Sequence, residues 1–145
     1  LYEIKENKGL KLLQPFAKQM VSHLDPELFS SSVLIPLPSS TGRRHSQLLA
    51  KSLSHLTGAN VLDVLSLQKT DRQPGKGRAE RLMRKMELRD SHFKDLLSYT
   101  TVLLIDDVVT SGGTMEAARS ALSPRLRVYG LTLFSRGLST KFASY

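Results

Sequence analysis

Two adjacent carboxylates, Asp106 and Asp107, stand between an apolar run, Val102-Leu103-Leu104-Ile105, and a stretch that ends in the small residues Thr110-Ser111-Gly112-Gly113-Thr114. Paired acids can grip vicinal hydroxyls, and a turn without bulky side chains can offer N–H groups and hydroxyls to a phosphate. The alanine-containing segment that follows predicts a helix whose N-terminus faces the same anion. Diol and anion side by side describe a sugar-phosphate site. Four apolar residues predict a buried strand, with the carboxylates where it leaves the sheet.

Other readings of this run fit less well. A phosphate loop of the Gly-x-x-x-x-Gly-Lys-Ser/Thr type is set aside, because no lysine follows Gly112-Gly113. A buried strand running into an Asp-capped helix needs neither two acids nor two glycines. A second candidate anion loop lies at Ser39-Ser40-Thr41-Gly42-Arg43-Arg44, whose alternative is an ordinary strand-to-helix turn carrying two solvated arginines. His45 follows it. With no acid nearby in sequence, it reads as structural, and the separations of His23, His55 and His92 match no metal-ligand motif.

The elements that must position these residues follow from the apolar spacing. Leu10, Leu12, Leu13, Phe16, Ala17, Met20, Val21 and Leu24 recur near helical spacing, with Pro15 tolerable only near the first turn, and Asp25-Pro26 closes that helix. A strand is predicted over 32–37, a helix over 46–56 stopped by Gly58, and a strand over 61–67. The signature strand, a helix over 114–122 and a last strand over 127–134 complete the order. Strands alternating with helices predict an α/β fold, a mainly parallel β-sheet flanked by helices, with ligands at the carboxyl ends of the strands.

The 145 residues, 40% hydrophobic, make about one domain, 1–145, with no internal repeat or linker. Cysteine is absent, which removes disulfides and thiolate zinc sites. No apolar run reaches the roughly 18 residues of a membrane span and no signal-peptide pattern opens the chain, so the expectation is a soluble, cytoplasmic protein with no membrane partner. A net charge of +8 and a pI of about 10.0 favour a polyanionic partner. Eight Lys/Arg against three acids fall between Gln68 and Arg89, a stretch whose Pro74, Gly75 and Gly77 predict a flexible basic loop over 68–89. Nucleic acid is the other polyanion that such charge suits. It is not favoured, since that stretch offers no aromatic ring to stack on a base.

The run from Val102 to Thr114 resembles the phosphoribosyl-pyrophosphate (PRPP) signature of the type I phosphoribosyltransferases at all thirteen positions. The chain is most similar to the ComF-like (competence protein F) branch. Further supporting segments are Ile4-Lys5 with Lys8-Gly9, Val33 to Pro38, His45 to Leu53, Lys69 to Arg81 and Leu131 to Arg136. The branch's N-terminal cysteine-rich zinc module is absent, as is a clear Asn-Gln pair after the first loop.

This resemblance implies the type I phosphoribosyltransferase fold and a Mg²⁺-dependent transfer of phosphoribosyl from PRPP to an acceptor base, with release of pyrophosphate. Asp106 and Asp107 would hold the ribose hydroxyls, directly or through Mg²⁺, and Val109 to Thr114 would wrap the 5′-phosphate. Ser39 to Arg44, with Lys76 and Arg78 from the basic loop, would bind pyrophosphate, Arg44 stabilising its departing charge. The helical segment 1–24 is a candidate hood over the acceptor, and a homodimer is compatible with the family. In the hypoxanthine-guanine branch an aspartate follows three residues after the second acid. Thr110 stands there in this chain, which leaves the acceptor unidentified. The alternative function is a non-catalytic PRPP-binding regulator or a DNA-uptake accessory protein on the same fold.

Overall fold

The chain places its apolar residues so that three parallel strands run through the middle, each face covered by helices. The computed structural model describes residues 2–39, 41–68, 86–89, 93–109 and 112–135. In chain order the elements are α1 (Tyr2–Ser22), α2 (Pro26–Ser30), β1 (Ser32–Pro36), α3 (His45–Thr57), β2 (Leu65–Leu67), β3 (Met86–Leu88), α4 (Phe93–Leu96), β4 (Thr101–Val109), α5 (Gly113–Ala121) and β5 (Arg127–Ser135).

The main sheet has the order β1-β4-β5, all parallel. Strand alternation divides the core in two. Val33, Ile35, Val102, Leu104 and Val128 pack with Met115, Ala118 and Leu122 around α5 and with Leu65, Met86 and Leu96. On the other face Leu34, Leu103, Ile105 and Leu131 meet Ala17 of α1, Phe29 of α2 and Leu49, Ala50 and Leu53 of α3. All five residues of β1 are buried, as the expectation of a sheet covered on both sides requires.

Local chemistry explains most boundaries. Asp25 caps α2 by accepting from Glu27 N–H at 3.0 Å, and Pro26 starts that helix, where a missing N–H costs nothing. Gly58 ends α3 with φ of 77° and donates to Ser54 O at 2.8 Å. Helix α1 comes close to α3 at Gly9, where a Cβ would stand 2.7 Å from Leu48 Cδ1 and the end of that leucine would have to move.

Three expectations change. Pro15 lies deep inside α1 rather than near its first turn. It is exposed, as is Lys11, whose carbonyl loses its helical partner on a side where water replaces it. The strand expected over 61–67 is two pieces. Val61 makes a single parallel bridge to Leu34, then the chain turns and β2 pairs antiparallel with β3. Consequently the basic loop expected over 68–89 ends in a strand, tied by Arg89 N–H to Val64 O at 2.8 Å and by Gln68 to Glu87. Residues 69–85 of that loop lie outside the described residues. No helix among the described residues is long and apolar enough to cross a membrane.

Candidate functional site

The site is built where β1 and β4 stop being neighbours. β1 last pairs at Pro36 with Ile105, and Leu37 N–H donates to Ile105 O at 2.9 Å. β4 continues beside β5 through the pairs Asp106 with Thr132 and Val108 with Phe134. The carboxylates therefore do not follow the strand, as expected, but sit within its last half, beyond the end of β1. Their backbone is held in the ladder by β5 on one side, and the space that β1 vacates lies on the other.

That space is bordered by the chain leaving β1. Ser39 Oγ lies 2.9 Å from Thr41 Oγ1, Thr41 N–H donates to Ser39 Oγ at 3.2 Å, and Gly42 adopts φ of 73°. A left-handed residue is needed there, and glycine supplies it without strain. Arg43 and Arg44 are exposed, and Arg44 directly precedes α3. Its charge also reaches α1: Glu6 is held below the ordinary carboxylate range, first by its 2.9 Å bond with Lys51 and more weakly by Arg44.

The first turn of α3 meets the acids. His45 Nδ1 lies 2.9 Å from Asp107 Oδ2, and Ser46 Oγ donates to Asp106 Oδ1 at 3.1 Å. Backbone N–H groups add to this: Asp107 N–H donates to Asp106 Oδ1 at 2.9 Å and Val108 N–H to Asp107 Oδ1 at 3.0 Å. The two carboxyls are electrostatically different. Burial pushes Asp106 up to about 6; its hydrogen bond and charge contact with Asp107 act in the same direction, and the Ser46 bond opposes them. Desolvation acts upward on Asp107 too, but bonds from His45, Asp106 and Val108 N–H outweigh it and leave Asp107 lowered. Asp107 is thus the ionised member, which makes it an acceptor and His45 Nδ1 the donor.

On the other side, Gly112 takes φ of 79° at the N-cap of α5, and its carbonyl accepts from Glu116 N–H at 3.0 Å. Gly113 and Thr114 open that helix, whose N-terminus favours negative charge. Ser39, Thr41, Gly42, Arg43, Arg44, Gly112, Gly113 and Thr114 thus lie on the two connections that leave the carboxyl ends of adjacent parallel strands, with Asp106 and Asp107 between. Ser40, Thr110, Ser111, Lys76, Arg78 and the side chain of Val109 lie outside the described residues.

Among the described residues the basic side chain in contact with the acids is His45, not Arg43 or Arg44. Sequence reasoning passed over this histidine because its acid is 62 residues away. The available signal was topological: loops leaving adjacent parallel strands converge, so the start of one helix can meet the end of the next strand. No cluster of three or more His, Cys, Asp or Glu among the described residues can hold a metal by itself. Two carboxylates are hard oxygen donors that suit Mg²⁺ when ligand oxygens complete its shell. Compared with known proteins, the chain matches no family model and no curated sequence.

Proposed function

We propose that this chain binds PRPP with Mg²⁺ at the carboxyl end of β4 and transfers its phosphoribosyl group to an acceptor base, releasing pyrophosphate. The observation that carries the reading is the acidic pair standing beyond the end of β1, between two connections that each lead into a helix N-terminus. A ligand with a diol in the middle and a phosphate at either end suits that order. The PRPP-like signature of residues 102–114 and the parallel β1-β4-β5 sheet support a phosphoribosyltransferase of type I.

In this reading Asp106 and Asp107 accept the ribose hydroxyls, Thr110 to Thr114 take the 5′-phosphate, and Ser39 to Arg44 take the pyrophosphate. Arg44, with Lys76 and Arg78, offsets the charge that develops as pyrophosphate leaves. Bound to the two carboxylates, Mg²⁺ would neutralise ligand oxygens. The residues of the chain orient ribose and exclude competing water. For the acceptor side we keep the N-terminal segment: exposed Phe16 of α1 meets Phe134 edge-on with ring centroids 6.2 Å apart, and Phe134 pairs with Val108, next to Asp107.

The test is pyrophosphate release from PRPP and Mg²⁺ across a panel of purine, pyrimidine and other nitrogen bases. Base-dependent release that disappears in Asp106→Asn with Asp107→Asn is the expected result. Binding of PRPP without release for any base would leave the regulator reading in its place.

A further inference from the structure

We infer that His45 and Ser46 are positioning residues, holding the two carboxylates in the orientation that receives ligand. This rests on the PRPP reading of the site. The first two residues of α3 each take one acid: His45 takes Asp107 at 2.9 Å and Ser46 takes Asp106 at 3.1 Å. The partners are 62 and 60 residues apart, so neither contact follows from local backbone geometry.

The exposure of the pair argues against a structural purpose. The His45 and Asp107 side chains are 52% and 33% exposed, and a polar contact in that setting adds little to stability. What it does is remove rotational freedom from a carboxylate that β4 holds only by its backbone. The hydrogen bonds are also divided unevenly. Asp107 uses one oxygen for His45 and the other for Val108 N–H, whereas both described bonds to Asp106 fall on Oδ1. Oδ1 of Asp106 is thus engaged twice, and the Ser46 bond sets where this carboxyl points.

The arrangement also joins two parts of the site. Arg44 directly precedes α3, and the turn from Ser39 to Gly42 precedes Arg44, so the helix that steers the acids begins where the proposed pyrophosphate loop ends. A ligand that orders this loop would fix the acids through the same turn. Outer groups that orient carboxylates at metal sites typically alter affinity by about 10- to 100-fold when removed.

The experiment is calorimetric titration of the full chain with PRPP and Mg²⁺, comparing the unsubstituted protein with His45→Ala, His45→Asn, His45→Gln and Ser46→Ala. The amide nitrogen of asparagine falls near the place of imidazole Nδ1, while that of glutamine falls near Nε2. A loss of about 10-fold or more in His45→Ala, largely restored in His45→Asn and not in His45→Gln, is the expected pattern, with a smaller loss in Ser46→Ala. Melting temperatures without ligand report any change in folding. Equal affinity for the unsubstituted protein and His45→Ala, or equal rescue by asparagine and glutamine, overturns the positioning role alone. Failure of the unsubstituted protein to bind overturns the PRPP reading and this inference with it.

Discussion

The two halves of β4 share one backbone ladder and differ in what lies beside them. From Val102 to Ile105 the strand has β1 on one side and β5 on the other, and all four side chains are fully buried. From Asp106 to Val109 only β5 pairs with it, and the first two residues of α3 bond to its carboxylates. Ending one strand a few residues before its neighbour thus turns a buried strand into a partly exposed acidic end. The apolar half derives its stability from contacts on both faces, while the acidic half gives up burial and pairing to keep two carboxylates available.

Substitutions at the two ends separate these roles. Leu103→Ala removes a side chain clamped between Leu34 and Tyr129 in register and should cost about 2–5 kcal/mol of stability, read from denaturant melts. Gly112→Ala places a Cβ at φ of 79° and should cost about 1–2 kcal/mol while also shifting the start of α5, so thermal melts should fall and PRPP affinity with them.

The smallest expected effect has the opposite sign. Asp106 is raised to about 6 in the folded chain, above the ordinary carboxylate range, so the folded state binds its proton more tightly than the unfolded state does. Stability contributed by this group is therefore present at low pH and falls as pH rises from about 4 through about 6. Water reaches part of the carboxyl, so Asp106→Asn should stabilise the ligand-free protein at pH 8 by only about 1 kcal/mol. Urea melts at pH 8 and pH 3.5 check it: the gain should shrink at the lower pH, and an equal gain at both would break the contrast between the halves of β4.

Much of the architecture was legible in the residues because its signals are local. The run 32–37, the Gly58 stop and the apolar stretch before Asp106 each carry their own pattern, and the corresponding elements form within a residue or two of the expected places. The β2–β3 ribbon was not legible as such, since strands of three residues offer too few positions for alternation to register. Pro15 misled for a different reason: its cost falls on an exposed carbonyl, and tertiary packing of α1 against α3 outweighs it. For the site, the acidic pair and both loops could be named from residue types. The contact of His45 with Asp107 could not, because it exists only once β1 and β4 are adjacent and β1 ends first.

We propose the acidic half of β4 as a PRPP site. Thermal denaturation of the full chain with millimolar PRPP and Mg²⁺, beside Asp106→Asn with Asp107→Asn, tests it most directly. Ligand at about 100 times its dissociation constant should add about 2.7 kcal/mol to the unsubstituted protein, and the gain should vanish in the double variant or when Mg²⁺ is chelated. No shift in the unsubstituted protein, or an undiminished shift in the double variant, would contradict the account.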